Sequence, residues 1–577
     1  MKLFKSLILF ILFATFNVPL SRAQNEKKIN FRSPLDIPLY LSGNFSELRG
    51  NHFHTGIDIK TQSVEGKAVY AVEDGYIARI KISTSGYGKA IYIRHPNGYT
   101  SVYGHLQKGN PEIEKYIQLH QYKKESYTIE LFPGKDELMV KKGDLIARSG
   151  NTGGSNGPHL HFEIRETSSE EPVNPLLFGF KVTDNIRPII KGIRIYPLSD
   201  QSYVSPYPGS ASGFQISGNY GKYRMTEGQD IKIYGDVGFA VHTYDLLNGY
   251  PNKCGIYTIQ LFVDSVEVFM TEFEKLNFST MRYINTYSDY FLLKKYKMYY
   301  HKQYIGKNNK LKIYPVRINN GVITFNDGKN HHVKYVITDS YNNRSELMFT
   351  INALTSMPEN QTKKQIDQKA YFTVEGPNFY MDKNITIDIP PSALYDDMSF
   401  NYKTLPATKN TIGPVYHIGD EYVPLQKKMS VTFNNSPIPK GFENKMMIVF
   451  IDEDGGLSNV GGNFENGKPV LKTRSFGKYS LAIDTIAPKI KPVNIFPNKD
   501  LSTYNTFSVK ISDDLAGIKS YRGTIDNQWI LMEYEPKKST LTYRFDNEKV
   551  KSGMHQFKLE VTDGVGNNTT YSAEFIR

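Results

Sequence analysis

Three short stretches carry histidines at spacings that could assemble one metal centre. "NHFHTGIDIK" supplies His52, His54 and Asp58, "VYGHL" supplies His105, and "GPHLHF" supplies His159 and His161. Seven of the 13 histidines lie in the first third of the 577-residue chain, and of those seven only His95 and His120 fall outside these stretches, so the clustering asks for a reason. On an extended strand, residues i and i+2 share a face, so His159 and His161 aim two imidazoles into the same space. His54 and Asp58, spaced H-x-x-x-D, can reach one ion from a turn and the strand that follows it. Neutral imidazole and carboxylate oxygen are ordinary zinc ligands, and a catalytic zinc keeps three protein ligands and one position for water. One of the two strand-paired histidines would complete the set. The other, with His105 from a neighbouring strand, would flank the open position. Such a set is equipped for amide hydrolysis: the metal acidifies water and polarises a carbonyl, while imidazole moves protons near neutral pH.

A single histidine is more often a turn or surface residue than a ligand. His95, beside Pro96 and a hairpin turn, and His120, in a polar excursion, are read that way. His52 is read as a residue beside the site or an exposed one. The order H-x-x-x-D, then Y-x-H-L, then G-x-x-G-P-H-L-H-F-E is more specific. With "AVEDGYI" and "GDLIARSGNTG" it resembles the lysostaphin/LytM-type zinc metallopeptidases, from about Gly43 to Phe178. The resemblance implies that His54, Asp58 and His161 bind Zn2+, and that His105 and His159 form the catalytic pair that handles protons and the oxyanion. It implies hydrolysis of peptidoglycan stem peptides or cross-bridges, with a D,D cross-link as the leading target and a glycyl-glycine bridge as the alternative. A relative without activity, regulating other wall hydrolases, is the competing class, although here every ligand position is filled. Gly153, Gly154 and Gly157 are expected to let their loop lie close to an extended peptide. The long insert at residues 107–142 departs from the family pattern and is expected to reshape or cover the groove.

These residues need a sheet to position them. "AVYAVEDGYIARIKIS", "AIYIRH" and "YTSVYGHL" alternate apolar and polar residues between turn signals, and Asn97-Gly98 is a strong hairpin signal. The insert is expected to begin a helix at Pro111. Beyond it the chain repeats a theme: "DNIRPII" from Asp184 resembles "DTIAPKI" from Asp484, and "ITDSYNNRSELMFTI" resembles "VTDGVGNNTTYSAEFI". The expected fold is mainly β: an N-terminal antiparallel metallopeptidase domain at 30–183 followed by immunoglobulin-like β-sandwich modules. The modules are placed at 184–353, 369–483 and 484–577, with a linker at 354–368. His331 and His332 diverge on a strand and are read as exposed surface.

Length alone suggests three or four domains. Residues 1–23 have the charged start, apolar run and small-residue end of a secretory signal peptide cut after Ala23, leaving no transmembrane span. The lone Cys254 excludes an internal disulfide framework and a thiolate-rich zinc site. The formal net charge of +12 is spread along the chain, which gives no nucleic-acid stripe. An exported protein of a bacterial periplasm or envelope fits these features, with a possible envelope protein partner for the C-terminal modules.

Overall fold

In the computed structural model, which describes residues 29–206, 210–358, 370–435, 439–546 and 548–577, the chain is mostly strand with little helix. The expected signal peptide and residues 359–368 of the expected linker lie outside the described residues. Among the described residues no helix is long and apolar enough to cross a membrane.

The histidine-bearing part is built on one antiparallel sheet. Its main strands are β1 (Leu41–Gly43), β2 (Ile57–Lys60), β3 (Gly75–Ile82), β4 (Lys89–Arg94), β5 (Tyr99–Gly104), β6 (Ile129–Leu131) and β7 (His159–Glu166). In space they run β1-β2-β7-β5-β4-β3-β6. Alternation places Leu160, Phe162 and Ile164 of β7 on the buried side, each fully enclosed. Burying a side chain of this kind contributes about 1.5–3 kcal/mol, which fixes the register of the strand. His161 then pairs with Asp58 of β2 on one side and Gly104 of β5 on the other. The Asn97-Gly98 turn joins β4 to β5 as expected, with Gly98 at φ 86°. A three-stranded sheet of residues 68–70, 145–149 and 106–109 shares the same core through Val69, Leu106 and Ile146.

The insert does begin a helix at Pro111. Helix α1 (Pro111–Lys124) is capped by the Asn110 side chain, which accepts from Ile113 N at 2.9 Å. Proline at its first position, Glu112 and Glu114 in its first turn and Lys123 and Lys124 in its last complement the helix ends.

Three further β bodies follow. Residues 189–353 form a 13-stranded sheet whose longest strand is Lys232–Leu246. Its core also takes in Phe45, Leu48 and Phe53 from the N-terminal part, so the two bodies share buried surface. Residues 371–483 make two five-stranded sheets over a core that includes Ile387, Leu425, Val431 and Tyr479. Residues 489–576 make a four- and a five-stranded sheet around Phe507, Leu541, Phe557 and Phe575. This last body folds back onto the first. The Trp529 ring meets Tyr122 of α1 edge-on at 5.3 Å, Arg522 pairs with Glu125 at 2.6 Å, and Lys89 pairs with Glu533 at 2.8 Å.

Candidate metal centre

Three ligand atoms converge where β2 and β7 lie side by side. Asp58 Oδ1 is 2.8 Å from His161 Nδ1 and 3.1 Å from His54 Nε2, and the two imidazole nitrogens are 3.1 Å apart. A tetrahedral ion with bonds of about 2.0–2.1 Å sets its ligand atoms about 3.3 Å apart, so this triangle is the size that zinc requires. Two imidazoles and one carboxylate also match a catalytic zinc in donor type and in number. All three side chains are buried.

The ring orientations are fixed from behind. The His54 Nδ1–H donates to Asn44 O at 2.7 Å, which leaves Nε2 as the basic nitrogen facing Asp58. Asn44 is held in turn by the distant Gly255, donating to its carbonyl at 2.8 Å and accepting from its amide at 2.6 Å. His161 is turned the other way: Nε2 donates to Glu163 Oε1 at 2.8 Å, which frees Nδ1 for the metal. That Glu163 oxygen also accepts from Tyr87 OH at 2.5 Å and from Thr55 Oγ1, and its second oxygen accepts from Arg165 Nε at 2.7 Å. Arg49 donates to Asp58 Oδ2 at 2.5 Å and so leaves Oδ1 to the cluster.

The electrostatics suit a cation. Burial pushes His54 down to about 4, against the upward pull of Asp58, so its ring is neutral at neutral pH. Burial would raise the Asp58 carboxyl, but the neighbouring imidazoles of His54, His159 and His161 hold it well below the usual range. Burial would also lower His161, yet bonds to Asp58 and Glu163 lift it to about 9. A site that holds a proton that firmly presents a strong negative potential, which a divalent ion would exploit.

Two more imidazoles stand beside the triangle. His159 Nε2 lies 3.5 Å from Asp58 Oδ1, while its Nδ1–H donates to Gly157 O at 2.9 Å, with Ser155 Oγ at 3.1 Å. The His105 ring centroid is 4.7 Å from that of His159, and its Nδ1–H donates to Thr152 O at 2.8 Å. His105 sits at φ 57°, a conformation non-glycine residues seldom adopt, and its amide is anchored on Tyr87 O at 2.8 Å. Burial, reinforced by His161 and His159, pushes His105 down to about 3. The carbonyl acceptors thus place a proton on Nδ1 of both rings and leave the Nε2 lone pair free.

The remaining histidines lie elsewhere. His95 is buried between Asp74 O and Ser101 Oγ, His120 is on α1, and His52 is exposed with Nδ1 on Gly50 O. The glycine-rich loop differs from expectation in one respect. Gly153, at φ 71°, packs on the turn at 86–88, where a Cβ would come within 2.3 Å of Gly88 N. Gly157 alone has open space around it.

The family model described as "Peptidase family M23" matches residues 52–122 and 128–175, the segment that carries all five side chains. These residues form an M23 peptidase domain. A second model, "Zu5-like domain", matches residues 369–484. The M23 segment is 35% identical over 123 residues to the DD-carboxypeptidase/endopeptidase Mpg of Neisseria meningitidis serogroup B, covering 21% of this chain and 22% of that protein. It is 30% identical over 135 residues to the murein hydrolase activator NlpD of Salmonella dublin, covering 23% and 28%. Among solved structures, the catalytic domain of lysostaphin from Staphylococcus simulans aligns at 26% identity over 24% of this chain and 88% of that one, with a TM-score of 0.18. The chain spans about a fifth of the length of the first curated relatives it matches.

Arg49, Tyr87, Glu163, Arg165 and Asn44 were not among the sequence-derived site residues. Glu163 and Arg165 did carry a signal, since they continue the alternation of His159 and His161 along one face of β7.

Proposed function

We propose that this protein is an exported zinc metalloendopeptidase that hydrolyses peptide cross-links of bacterial peptidoglycan. The observation that carries the reading is the convergence of His54 Nε2, Asp58 Oδ1 and His161 Nδ1 beside two further imidazoles. His54, Asp58 and His161 would hold the zinc. When bound, it supplies the Lewis acidity that lowers the pKa of water and polarises a carbonyl. Glu163 and Asn44 keep the two ligand rings in the tautomers that zinc requires. Arg49 holds the far oxygen of Asp58 and prevents that carboxylate from turning away. His105 and His159, both protonated at Nδ1 through backbone carbonyls, offer Nε2 lone pairs that accept the proton of an attacking water and return it to the leaving amine. Protonated, either ring donates to the oxyanion that develops on the former carbonyl.

Likeness to Mpg supports a D,D bond between stem peptides as the target. Likeness to NlpD supports a second reading, a non-catalytic envelope protein that regulates other wall hydrolases, but the full set of ligands and both proton-handling rings favour the enzyme. The C-terminal bodies we read as immunoglobulin-like modules that position the M23 domain in the envelope. Purified protein is expected to contain one zinc per chain and to release peptide fragments from isolated sacculi. Chelation should stop that release and added zinc restore it. A protein without zinc that releases nothing, yet stimulates a separate wall hydrolase, would transfer the assignment to the regulator.

A further inference from the structure

Outside the M23 site, Asp184, Asp245 and Asp339 bring one carboxylate oxygen each to within 4.8 Å of one another. Asp245 is the penultimate residue of the strand Lys232–Leu246, Asp339 follows the strand Asn330–Thr338, and Asp184 lies in the segment that leads into the second body. Asp245 and Asp339 are 1% and 2% exposed. Backbone and side-chain donors serve Asp339: Tyr341 N at 2.8 Å and Asn343 N at 2.9 Å to Oδ1, and Asn343 Nδ2 at 2.7 Å to Oδ2. Asp184 Oδ1 accepts from Ile186 N at 3.1 Å. Asp184 Oδ2 and Asp245 Oδ1, in contrast, are buried and receive no hydrogen bond. After burial itself, the groups acting most on Asp245 are the other two carboxylates, which push it up. Burial also raises Asp184, with Asp339 adding to the push, whereas Asp339 is raised by burial and lowered by Asp184.

The C-terminal body repeats the arrangement with Asp484, Asp513 and Asp563. There Asn567 Nδ2 donates to Asp563 Oδ2 at 2.7 Å and to Asp484 O at 3.1 Å, as Asn343 Nδ2 does to Asp339 Oδ2 and to Asp184 O. The difference lies at the first aspartate. Asp484 Oδ2 accepts from Ala516 N at 3.0 Å, whereas Asp184 Oδ2 has no such donor. One scaffold therefore occurs twice, and in the first copy two buried acceptor atoms lack a donor. A buried carboxylate without a donor or counter-charge is costly to fold around, and a cation supplies both needs at once.

We propose that Asp184, Asp245 and Asp339 bind a hard divalent cation, calcium, at the base of the second body. The donor set is all oxygen, which selects calcium or magnesium over zinc, and calcium tolerates the irregular geometry of three unevenly solvated carboxylates. The ion would tie the segment leaving the M23 domain to two strands of the next body. This site does not depend on the hydrolase reading.

The test uses the full chain, already loaded with zinc, titrated with calcium chloride in a calorimeter, with magnesium chloride as a parallel arm. Wild type should show saturable calcium uptake and a calcium-dependent rise in melting temperature, both absent from Asp245→Asn. Asp184→Asn, at the less buried member, should lose the same responses and serves if Asp245→Asn fails to fold. Asp513→Asn should keep them. The proposal is overturned if wild type takes up neither ion, if Asp245→Asn and Asp184→Asn bind calcium as wild type does, or if Asp513→Asn alone abolishes uptake. It is also overturned if Asp245→Asn raises the melting temperature while calcium has no effect, because the three carboxyls then share protons.

Discussion

Glu163 shows how far one carboxylate can govern the ring of a proposed metal ligand, His161. It fixes the His161 tautomer, and it is the nearer counter-charge of Arg165, whose other carboxylate partner, Glu170, is more exposed and lies at 3.5 Å. Glu163→Gln removes that charge and leaves the buried guanidinium with only the longer contact to Glu170. Zinc affinity should fall by about 10–100-fold, read by competition with a chromophoric chelator. Stability should fall by about 3–5 kcal/mol in denaturant unfolding, the usual cost of breaking a buried pair. His105→Ala separates proton handling from metal binding: zinc content should be unchanged while turnover falls by about 10²–10⁴-fold. A variant that loses zinc as well would make His105 a ligand. At this scale the sequence made the convergence of side chains legible where it follows spacing within a strand or turn, as with His54, Asp58, His159 and His161. Arg49 and Asn44 were not, because one is chosen by its reach across a turn and the other by a contact with Gly255, more than 200 residues away.

Elements were read best where local rules decide them. The hairpin at Asn97-Gly98 and the helix start at Pro111 depend on turn and cap chemistry that neighbouring residues supply. What α1 packs against was not legible, since Tyr122 and Glu125 look like ordinary surface residues until Trp529 and Arg522 arrive from the far end of the chain. The insert therefore supports a module, a role its sequence did not suggest. His331 is a similar case. It was read as exposed surface, yet it joins two turns, with Nδ1 2.6 Å from Asp264 and Nε2 3.0 Å from Asp327. Burial is the largest single influence and lowers its pKa, but the bonds to and charges of the two carboxylates together outweigh it and raise it above the ordinary value of 6.5. Its contribution to stability is then fully present below that value and is lost as pH rises through the raised one. Melting temperature should decline across this interval in wild type. Asp264→Asn should flatten that decline, and an unchanged slope would remove the link from any stabilising role.

At the scale of the whole molecule, the M23 domain is braced from two sides. Phe45, Leu48 and Phe53 complete the core of the second body, and Asn44 reaches Gly255 of that body while its carbonyl orients His54. From the opposite end of the chain, Lys537 Nζ donates to Asn151 O and, at 3.1 Å, to Ser155 O, in the loop that fixes the His159 ring. These braces predict that two truncations differ in kind. A chain ending at residue 183 would expose three large apolar side chains, each worth about 1.5–3 kcal/mol when buried, and would free the backbone behind His54, a proposed zinc ligand. It should be poorly soluble, and its soluble fraction should bind zinc more weakly than the full chain. A chain ending at residue 483 keeps the second body and should retain zinc at full stoichiometry. It loses the hold of Lys537 on the loop at 151–155 and the contacts of Trp529, Arg522 and Glu533 with Tyr122, Glu125 and Lys89. None of these touches His54, Asp58 or His161, so its KM for wall fragments should change while its metal content does not. Zinc analysis alongside steady-state kinetics on both truncations tests this. Equal zinc binding by the 183-residue chain and the full chain would mean that Asn44 orients His54 without help from Gly255, and the proposed coupling between the second body and the metal centre would fail.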